Sequence, residues 1–443
     1  MKIIIAGAGE VGTHLAKMLS NEDQDIILID SDQRRLDIID ANYNLMTWNG
    51  SASSLETMRD MGISDTDLYI AVTPYETRNI TACSIAKKLG AKKTVARIDN
   101  AEFLDDDNRK VLKEIGADTL IYPEHLAALE IDVSLRHNWA RYWGELHNGQ
   151  LLLIGVRLTQ DNDLEGKQIK DIPGTAEFNI VAIKRNNETI IPRGNDFIEP
   201  GDMLYFVTTP QFIENVRTLC GKRKRSMKRL MIIGGSDIAE RFATVYHDKY
   251  HIKIIDEDRD KCEHLATMLP DCEIVCGDGL DVDVLRENNT SQYDAFMALT
   301  DSSEANILAC MTAKEFTVPK TVANVENLQF ISQAENLNIG TIINKKLLAS
   351  SYIFQLLLDA DEENAKCLSL ANADAGELLV KKNAKITREP VRKLRLPSEM
   401  TLAALVRDGR CYLVNGSTQI QEGDYVVVFC LHGFIHKIEK WFY

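Results

Sequence analysis

Three glycines near the N-terminus have the spacing of a phosphate-binding turn. They follow the apolar run Lys2 to Ala6, which is typical of a buried strand, and precede apolar residues at helical spacing. The first glycine allows a tight turn, the second lets a pyrophosphate approach the backbone, and the third lets the following helix pack closely. The N–H groups at the helix start then face the anion. The pattern predicts nucleotide contacts at Gly7, Ala8, Gly9, Glu10, Val11 and Gly12.

A carboxylate at the end of the next apolar segment fits the ribose of the same ligand. Asp30 follows Gly7 by 23 residues, where an acidic side chain can accept hydrogen bonds from both ribose hydroxyls. Asp30 and Asp32 would also repel a 2′-phosphate by charge. The sequence therefore predicts NAD (NAD+ or NADH) or an adenine nucleotide in preference to NADP.

Polar residues also follow the later strands of this segment. Ser51 follows the third strand, Thr73 and Pro74 follow the fourth, and Arg97 follows the fifth. Ligands of open α/β sheets bind at the carboxyl ends of strands, so these residues are predicted to belong to the same site. The Arg97 guanidinium needs an anion, which a bound phosphate would supply; a buried carboxylate such as Asp118 is the alternative.

The whole arrangement occurs twice in the chain. A second strand and turn begin at Gly234, 227 residues after Gly7, and further matches follow in the same order. In this copy Ser236 replaces the middle glycine, Ala239 the last, and Asn324 stands where Arg97 stood. A Cβ narrows the approach to a phosphate, and loss of the arginine removes a charge-assisted bond. A site with weaker or different ligand binding is therefore predicted at Gly234, Gly235, Ser236, Asp237, Ile238, Asp256, Asp278 and Thr300.

A smaller repeat follows each of these units. Residues 181–207 describe a hairpin, the turn Glu199-Pro-Gly-Asp202 and a closing strand, and residues 405–429 repeat this plan 222 residues later. The acidic turn is interpreted as a turn before a strand, with a cation site as the alternative. A helix between the two parts of each unit is expected to pack against a neighbour, as a dimer-like or pseudo-dimer element.

The predicted fold class is α/β, with two Rossmann-type, doubly wound parallel-sheet lobes, each followed by a small α+β C-terminal lobe. The first half is divided into a Rossmann lobe, a crossover helix and a C-terminal lobe, and the second half repeats this order. The expected ranges are 1–122, 123–142, 143–225, 226–343, 344–360 and 361–443.

Composition restricts the function further. The chain of 443 residues has 51 basic and 66 acidic side chains, a net charge of −15, which argues against nucleic-acid binding. The basic cluster from Lys222 to Arg229 is interpreted as a solvated linker, with docking on anionic lipid or an acidic partner as the alternative. The nine cysteines form no metal-ligand or disulfide pattern, and no apolar run is long enough to span a membrane.

The residues and repeats together resemble the RCK (regulator of potassium conductance) family, in the tandem form that serves Trk-type potassium uptake. The resemblance covers essentially the whole chain. It implies a cytoplasmic protein, peripheral at the membrane, that forms a ring-like homo-oligomer (dimer or tetramer) under a Trk-type potassium channel subunit. It also implies that NAD or NADH, and in some members ATP or ADP, occupies the cleft and gates the channel.

The alternative is an NAD-dependent oxidoreductase, because fold alone does not define activity. Hydride transfer needs an acid or base beside the nicotinamide, and the C-terminal lobes offer no convergent His, Lys or Tyr set. His14 and His125 are interpreted as surface or cap residues. We therefore expect no catalytic residues, no metal site and no enzymatic activity.

Overall fold

The computed structural model describes the chain except residues 21–23, 44, 148, 159–161, 173–175, 187, 359–365, 371–372, 432–433, 435–436 and 439. The first unit is a parallel sheet of order β3-β2-β1-β4-β5-β6. Its order reverses between β1 and β4, which opens a crevice at the carboxyl ends of these strands. The elements are β1 (Lys2–Ala6), α1 (Glu10–Leu19), β2 (Asp25–Asp30), α2 (Gln33–Asn42), β3 (Met46–Asn49), α3 (Leu55–Asp60), β4 (Leu68–Ala71), α4 (Glu76–Lys88), β5 (Lys93–Arg97), α5 (Asp106–Glu114) and β6 (Thr119–Ile121).

Local sequence explains these elements. The central strand β1 is apolar on both faces, and Ile3, Ile4 and Ile5 are buried, because helices cover both sides of a parallel sheet. At the start of α2 the Asp32 carboxylate accepts a hydrogen bond from the Arg34 N–H, which satisfies a donor that the helix leaves free. The predicted strand and helix alternation is therefore confirmed in this unit.

A second, antiparallel sheet follows the crossover helix α6 (Pro123–Arg136). Its order is β10-β9-β11-β8-β7. The buried Asp202 carboxylate, at the end of the acidic turn, accepts two hydrogen bonds from Arg185, at 2.8 and 2.7 Å, and one from the Glu199 N–H at 2.9 Å. The turn interpretation fits this closed arrangement. The elements are β7 (Tyr142–Leu146), β8 (Leu151–Arg157), β9 (Phe178–Arg185), β10 (Glu188–Ile190), β11 (Met203–Thr208) and α7 (Ile213–Leu219).

The second half repeats both sheets. The parallel sheet has the order β14-β13-β12-β15-β16-β17 and the antiparallel one β18-β19-β22-β20-β21, so each strand has a counterpart in the first half. The elements are β12 (Arg229–Ile233), α8 (Asp237–Tyr246), β13 (His251–Asp256), α9 (Arg259–Met268), β14 (Glu273–Cys276), α10 (Val282–Glu287), β15 (Ala295–Ala298), α11 (Ser303–Glu315), β16 (Lys320–Asn324), α12 (Leu328–Asn336), β17 (Thr341–Ile343), α13 (Lys345–Leu358), β18 (Lys366–Leu370), β19 (Ala373–Leu379), β20 (Met400–Arg407), β21 (Arg410–Leu413) and β22 (Tyr425–Leu431).

The two crossover helices are exchanged between the halves. Helix α13 of the second half packs on α1 of the first, and α6 of the first half packs on α8 of the second. Ala349 and Ile353 thus join the core around Leu15, while Ile131 and Leu135 join the core around Phe242. The chain is an internal pseudo-dimer in which each parallel-sheet unit is covered by a helix from the other half.

The antiparallel sheets also pack on each other. Strand β20 bulges at Ala403, where its register with β22 shifts, and the Ala403 carbonyl accepts the Val414 N–H at 3.0 Å. The Asn179 amide of the other antiparallel sheet donates hydrogen bonds to the Ala403 carbonyl at 2.5 Å and to the Val414 carbonyl at 2.7 Å. The Asn179 amide thus joins the two antiparallel sheets through hydrogen bonds to backbone carbonyls.

The basic linker between the halves is largely exposed. Arg223, Lys224 and Arg225 lie outside helices and strands. The linker is attached to the end of α6 where the Asn138 amide donates to the Arg225 carbonyl at 2.8 Å. This exposure fits the interpretation as a solvated linker.

Replacing Asp132 by alanine should destabilise the exchanged helix α6. This buried carboxylate accepts hydrogen bonds from Arg136 at 2.8 Å, from Tyr250 at 2.7 Å and from Lys249. Burial raises its pKa, but the hydrogen bonds from Lys249 and Tyr250 outweigh burial and leave the pKa lowered. Removing one partner of a buried ion pair costs roughly 3–5 kcal/mol, and urea unfolding followed by circular dichroism measures the loss.

The control is Asp107→Ala, which breaks the exposed pair with Lys110 and should cost less than about 1 kcal/mol. Because the folded pKa of Asp132 is depressed, its contribution should be present above pH of about 4 and be lost as the pH falls through the folded pKa. Equal losses for the two variants at neutral pH would contradict the assignment.

Candidate functional site

The glycine turn after β1 has the geometry that a phosphate needs. Gly7 has a φ of +112°, in the region that favours glycine. A Cβ at Gly12 would lie 1.9 Å from the Gly7 carbonyl oxygen, so α1 packs against the turn only because position 12 is glycine. A Cβ at Gly9, in contrast, would meet no heavy atom within 4 Å. Gly9 therefore faces open space at the start of α1.

Asp30 is held at the end of β2 by backbone donors. Its Oδ2 accepts the Ala8 N–H at 2.6 Å, and its Oδ1 accepts the Asp32 N–H at 2.8 Å. Each carboxylate oxygen keeps acceptor capacity for a ribose hydroxyl. Asp32, which the sequence treats as a second repelling charge, is paired with Arg34 at 3.3 Å, so its share in rejecting a 2′-phosphate is reduced.

One buried amide, absent from the predicted site, ties two strand ends together. The Asn79 side chain accepts the Thr73 N–H at 3.0 Å and donates to the carbonyls of Thr73 and Arg97, both at 2.9 Å. It thereby fixes the ends of β4 and β5 relative to each other. The repeat of Asn79 as Asn306 at an offset of 227 residues was the sequence signal for this role.

Arg97 lies half-buried at the end of β5, next to the turn. Among the residues that the structure describes, no carboxylate lies within ion-pair distance of its guanidinium. Asp118 is not its partner: that carboxylate pairs with Lys87 at 2.8 Å and accepts the Thr94 N–H at 2.9 Å. The alternative that assigned Asp118 to Arg97 is therefore wrong. A half-buried, unpaired guanidinium favours an external anion.

The cleft beside this turn has a volume of about 1040 Å³ and is built from both halves of the chain. The first half contributes the glycine turn, α1 and Arg97, and the second half contributes the starts of α11, α12 and α13. Lys345 and Lys346, the first residues of α13, bring two ammonium groups to it. The residues from the second half are Asp301, Ser303, Glu304, Glu326, Asn327, Leu328, Gln329, Lys345 and Lys346.

Ion pairs connect the two halves at this point. Lys345 lies 3.0 Å from the Glu124 carboxylate at the start of α6. Burial lowers the pKa of Lys345, but Glu124 outweighs burial and leaves it raised, so this lysine stays charged. Lys346 lies 3.2 Å from Glu326 and also pairs with Glu10 in the first turn of α1.

The predicted residues of the first site have three different positions. Ala8, Gly9, Glu10, Val11, Pro74 and Arg97 line the cleft. Gly7, Gly12, Asp30 and Thr73 support its wall from behind through the contacts given above. Ser51 is exposed and interacts with Ser53 at 3.3 Å, so the structure does not bring its side chain to the cleft wall.

His14 lines the same cleft, whereas the sequence interpretation places it at the surface. Burial, with the nearby Lys17, lowers its pKa, so the imidazole is neutral at pH 7. His125 is likewise neutral, because burial and Arg241 lower its pKa to about 4. Its Nδ1 accepts a hydrogen bond from Arg241 at 3.2 Å, which fits its interpretation as a residue at a helix start.

The second turn keeps the same framework. Gly234 has a φ of +94°, and the Gly235 N–H donates to Asp256 at 2.6 Å. Thr300 and Asn306 repeat the amide clamp, with the Thr300 N–H donating to Asn306 at 3.0 Å. Asp278, in contrast, uses its carboxylate to accept the Leu280 N–H at 2.8 Å within its own turn.

The residues that differ between the second glycine turn and the first make the second site less favourable for an anion. Ser236 Oγ and Asn324 Oδ1 are buried without a hydrogen-bond partner in the described structure, and neither supplies positive charge. Near Tyr122, the guanidinium of Arg241 lies 5.7 Å from the ring centroid, but burial and the carboxylates of Glu124 and Asp237 outweigh it and raise the pKa of this phenol to about 12. Ala239 and Ile238 are buried in the core of the unit. The second site is therefore less suited to a polyphosphate than the first.

Among the residues that the structure describes, no group of three or more His, Cys, Asp or Glu side chains is arranged to hold a metal ion. No described helix has the length and apolarity needed to cross a membrane.

Gly12→Ala and Gly9→Ala should separate folding from ligand access. In Gly12→Ala the new Cβ overlaps the Gly7 carbonyl, so we expect a loss of about 3 kcal/mol in unfolding free energy. In Gly9→Ala the Cβ enters open space from an extended backbone with φ −74°, and the change should stay within about 0.5 kcal/mol. Thermal unfolding by calorimetry measures both. Equal stability of the two variants would refute this account of the turn.

Comparisons with known proteins agree on the family and the fold. The TrkA-N domain family matches residues 3–123 and 230–345, and the TrkA-C domain family matches residues 153–221. The chain is 29% identical over 437 residues to the Trk system potassium uptake protein TrkA of Haemophilus influenzae, covering 97% of this chain and 95% of that protein. It is 29% identical over 445 residues to the TrkA homolog of Archaeoglobus fulgidus, covering all of both chains.

Solved structures with the same architecture include the GsuK RCK domain, with a TM-score of 0.60 at 13% identity over 100% of this chain and 94% of that one. The GsuK channel bound to NAD also has a TM-score of 0.60 at 13% identity, over 100% and 78% of the two chains. At this identity the likeness establishes the fold, and it confirms the predicted RCK architecture.

Proposed function

Because the chain belongs to the TrkA family, whose TrkA-N domain matches both parallel-sheet units, we propose that it is a nucleotide-binding regulatory subunit of a Trk-type potassium uptake system. Full-length relatives bear the name Trk system potassium uptake protein TrkA. In this proposal the protein works at the cytoplasmic face of the membrane, beneath a potassium channel subunit, as a ring-like homo-oligomer (dimer or tetramer).

One observation carries the proposal: the first cleft joins an open glycine turn to an unpaired guanidinium. The turn at Gly9 faces open space at the start of α1, the unpaired Arg97 lines the same cleft, and the Asp30 carboxylate supports the turn from behind through the Ala8 N–H. Among the described residues, five cationic side chains, including Lys345 and Lys346, line this cleft together with four carboxylates, in a chain whose net charge is −15. Local cationic groups in an otherwise anionic protein favour a ligand with several phosphate charges.

NAD, as NAD+ or NADH, is the first candidate ligand, with ADP or ATP as further members of the same class. Asp30 favours an unmodified ribose, and the cleft of about 1040 Å³ has the volume for a dinucleotide. Two structures with the same fold are a GsuK channel bound to NAD and GsuK bound to ADP.

The cleft geometry suggests how a ligand would act. Lys346 of the second half pairs with Glu10 of the first, directly at the phosphate turn. A phosphate at the turn would compete with Glu10 for Lys346 and draw α13 toward the ligand. A ligand shifts a conformational equilibrium only through different affinity for two states, and a site shared between two halves provides that difference. We propose that the resulting motion of α13 and its antiparallel sheet gates the channel.

The arrangement gives less support to an oxidoreductase. His14 is the titratable imidazole in the cleft, and it is held neutral beside Lys17. A dehydrogenase also needs a substrate pocket in which an acid or base meets the nicotinamide. The residues that line the cleft in the described structure include none from the antiparallel sheets. We therefore propose a binding protein without catalytic residues.

Calorimetric titration with NAD, NADH, ATP and ADP tests the site directly. Asp30→Ala removes the ribose acceptor, and Arg97→Ala removes a charge-assisted bond to phosphate. Each should weaken binding by about 10- to 100-fold, since a hydrogen bond to a charged group contributes roughly 1.5–3 kcal/mol.

Arg59→Ala, an exposed arginine on α3, is the control and should bind as the unchanged protein does. Saturable binding that weakens in both site variants, without turnover of NADH, supports the sensor. No binding of any of the four nucleotides would refute the proposal, and steady NADH oxidation with a substrate would favour the oxidoreductase.

Glu10→Gln and Lys346→Gln should change nucleotide affinity in opposite directions. Glu10→Gln removes a negative charge and the competitor for Lys346, so binding should tighten about threefold. Lys346→Gln removes an ammonium group from the phosphate position and should weaken binding about tenfold. Titration of both variants with the same nucleotide measures the two shifts.

Lys110→Gln replaces an exposed lysine of α5 and serves as the control for lost positive charge. Equal affinities for Lys346→Gln and Lys110→Gln would show that α13 does not contact the ligand. In that case the proposed link between occupancy and the position of α13 would be wrong.

A further inference from the structure

Two thiols meet at the ribose end of the second cleft. Cys276 is the last residue of β14 and lies beside Asp256 in the parallel register with β13. Cys262 lies in the first turn of α9, above the same strand ends. Their sulfur atoms contact successive carbonyls, Cys262 Sγ at 3.3 Å from the Asp256 oxygen and Cys276 Sγ at 3.9 Å from the Glu257 oxygen.

The two cysteines differ in a way that suits a redox pair. Cys262 is buried, with 6% of its surface exposed, whereas Cys276 is exposed to solvent. Burial raises the pKa of Cys262 to about 11, and the neighbouring Cys276 thiol contributes to this rise through a hydrogen bond. The exposed Cys276 thiol can thus react with a soluble oxidant, while the buried Cys262 thiol beside it is shielded from solvent.

We propose that Cys262 and Cys276 form a reversible disulfide that regulates ligand binding at the second cleft. A disulfide in a protein of a reducing compartment is usually transient and redox-sensing. The first unit lacks the pair, because Leu36 and Asn49 occupy the corresponding positions. The thiols therefore belong to the second unit specifically and are not a feature of the common framework.

The oxidant in this proposal is a peroxide. The Cys276 thiolate attacks one peroxide oxygen, the O–O bond breaks, and Cys276 becomes a sulfenic acid with release of water after protonation. Cys262 then attacks the Cys276 sulfur, and its proton leaves with the sulfenic hydroxyl as a second water. In sum, two thiols and one hydrogen peroxide give one disulfide and two water molecules. A dithiol reductant reverses the reaction by exchange.

The disulfide would act on the ligand through Asp256. This carboxylate accepts the Gly235 N–H at 2.6 Å and the Asp258 N–H at 2.8 Å, so it joins the phosphate turn to the start of α9. A bond between the two sulfur atoms draws α9 onto β14 and moves the segment between them. We expect the second cleft to narrow at its ribose end and to bind nucleotide less tightly. This last step rests on the proposed function, whereas formation of the disulfide does not.

The first test is the disulfide itself. The full-length protein is treated with a slight excess of hydrogen peroxide, free thiols are blocked with N-ethylmaleimide, and peptides are mapped by mass spectrometry without reduction. We expect a peptide that links Cys262 to Cys276, which disappears after dithiothreitol and in Cys276→Ser. Cys272→Ser, which removes a half-exposed thiol of the same unit, should leave the link intact. Irreversible oxidation of Cys276 without the link, or a link through Cys272, would overturn the proposal.

The second test measures its consequence in an Arg97→Ala background, in which the first site is weakened. NAD and ADP are titrated into reduced and oxidised protein. We expect oxidation to lower the affinity of the remaining site about tenfold, and dithiothreitol to restore it. The Cys262→Ser variant should bind nucleotide with the same affinity before and after peroxide treatment.

If the disulfide forms and nucleotide affinity does not change, the regulatory effect is refuted but the disulfide between Cys262 and Cys276 is confirmed. If neither form binds nucleotide at the second site, the regulatory link fails together with the proposed second site, and the first site is unaffected.

Discussion

The exchange of crossover helices between the two halves is the constraint on which the rest of the molecule depends. Helix α13 covers α1, and α6 covers α8. The apolar helix surface of each parallel-sheet unit packs on the other half, and the fully buried Leu15 and Phe242 lie in cores that include residues of that other half. Because burial of apolar surface is the main stabilising contribution in folding, the halves are held as a pseudo-dimer, and each cleft necessarily faces a helix from its partner half.

Within each unit a second constraint fixes the cleft wall. The buried amides of Asn79 and Asn306 join the ends of two neighbouring strands through four hydrogen bonds each. A buried amide without partners would be costly, so these bonds specify one arrangement of the strand ends. The framework is thus kept in both copies, while the residues that would meet a ligand are free to differ. Arg97 and Asn324 occupy corresponding positions, yet one is charged and half-buried and the other is neutral and buried.

The sequence predicted the fold well because its information there is local and repeated. Strand and helix periodicity, the glycine turns and the ordered matches between the halves define both sheets without knowledge of long-range contacts. Sequence-based prediction failed for features that depend on which surfaces of the two halves contact each other. Lys345 and Lys346 reach the first cleft only through helix exchange, and nothing in their own sequence segment indicates this. Asp118 was a reasonable partner for Arg97 by charge, but it lies at the opposite end of β6 and pairs with Lys87.

Contact between the two crossover helices would couple ligand binding at the two sites. The starts of α6 and α13 touch where Lys345 pairs with Glu124, so the helix that covers one cleft is in contact with the helix that covers the other. Coupling between two sites is reciprocal: whatever the first ligand does to the second site, a ligand at the second site does to the first by the same factor. Two identical sites would respond to one ligand in one way. The first site has Arg97 where the second has Asn324. In the proposed function, two sites that differ in this way and are joined through this ion pair would respond to different ligands, because their residues diverge on a framework that both halves share.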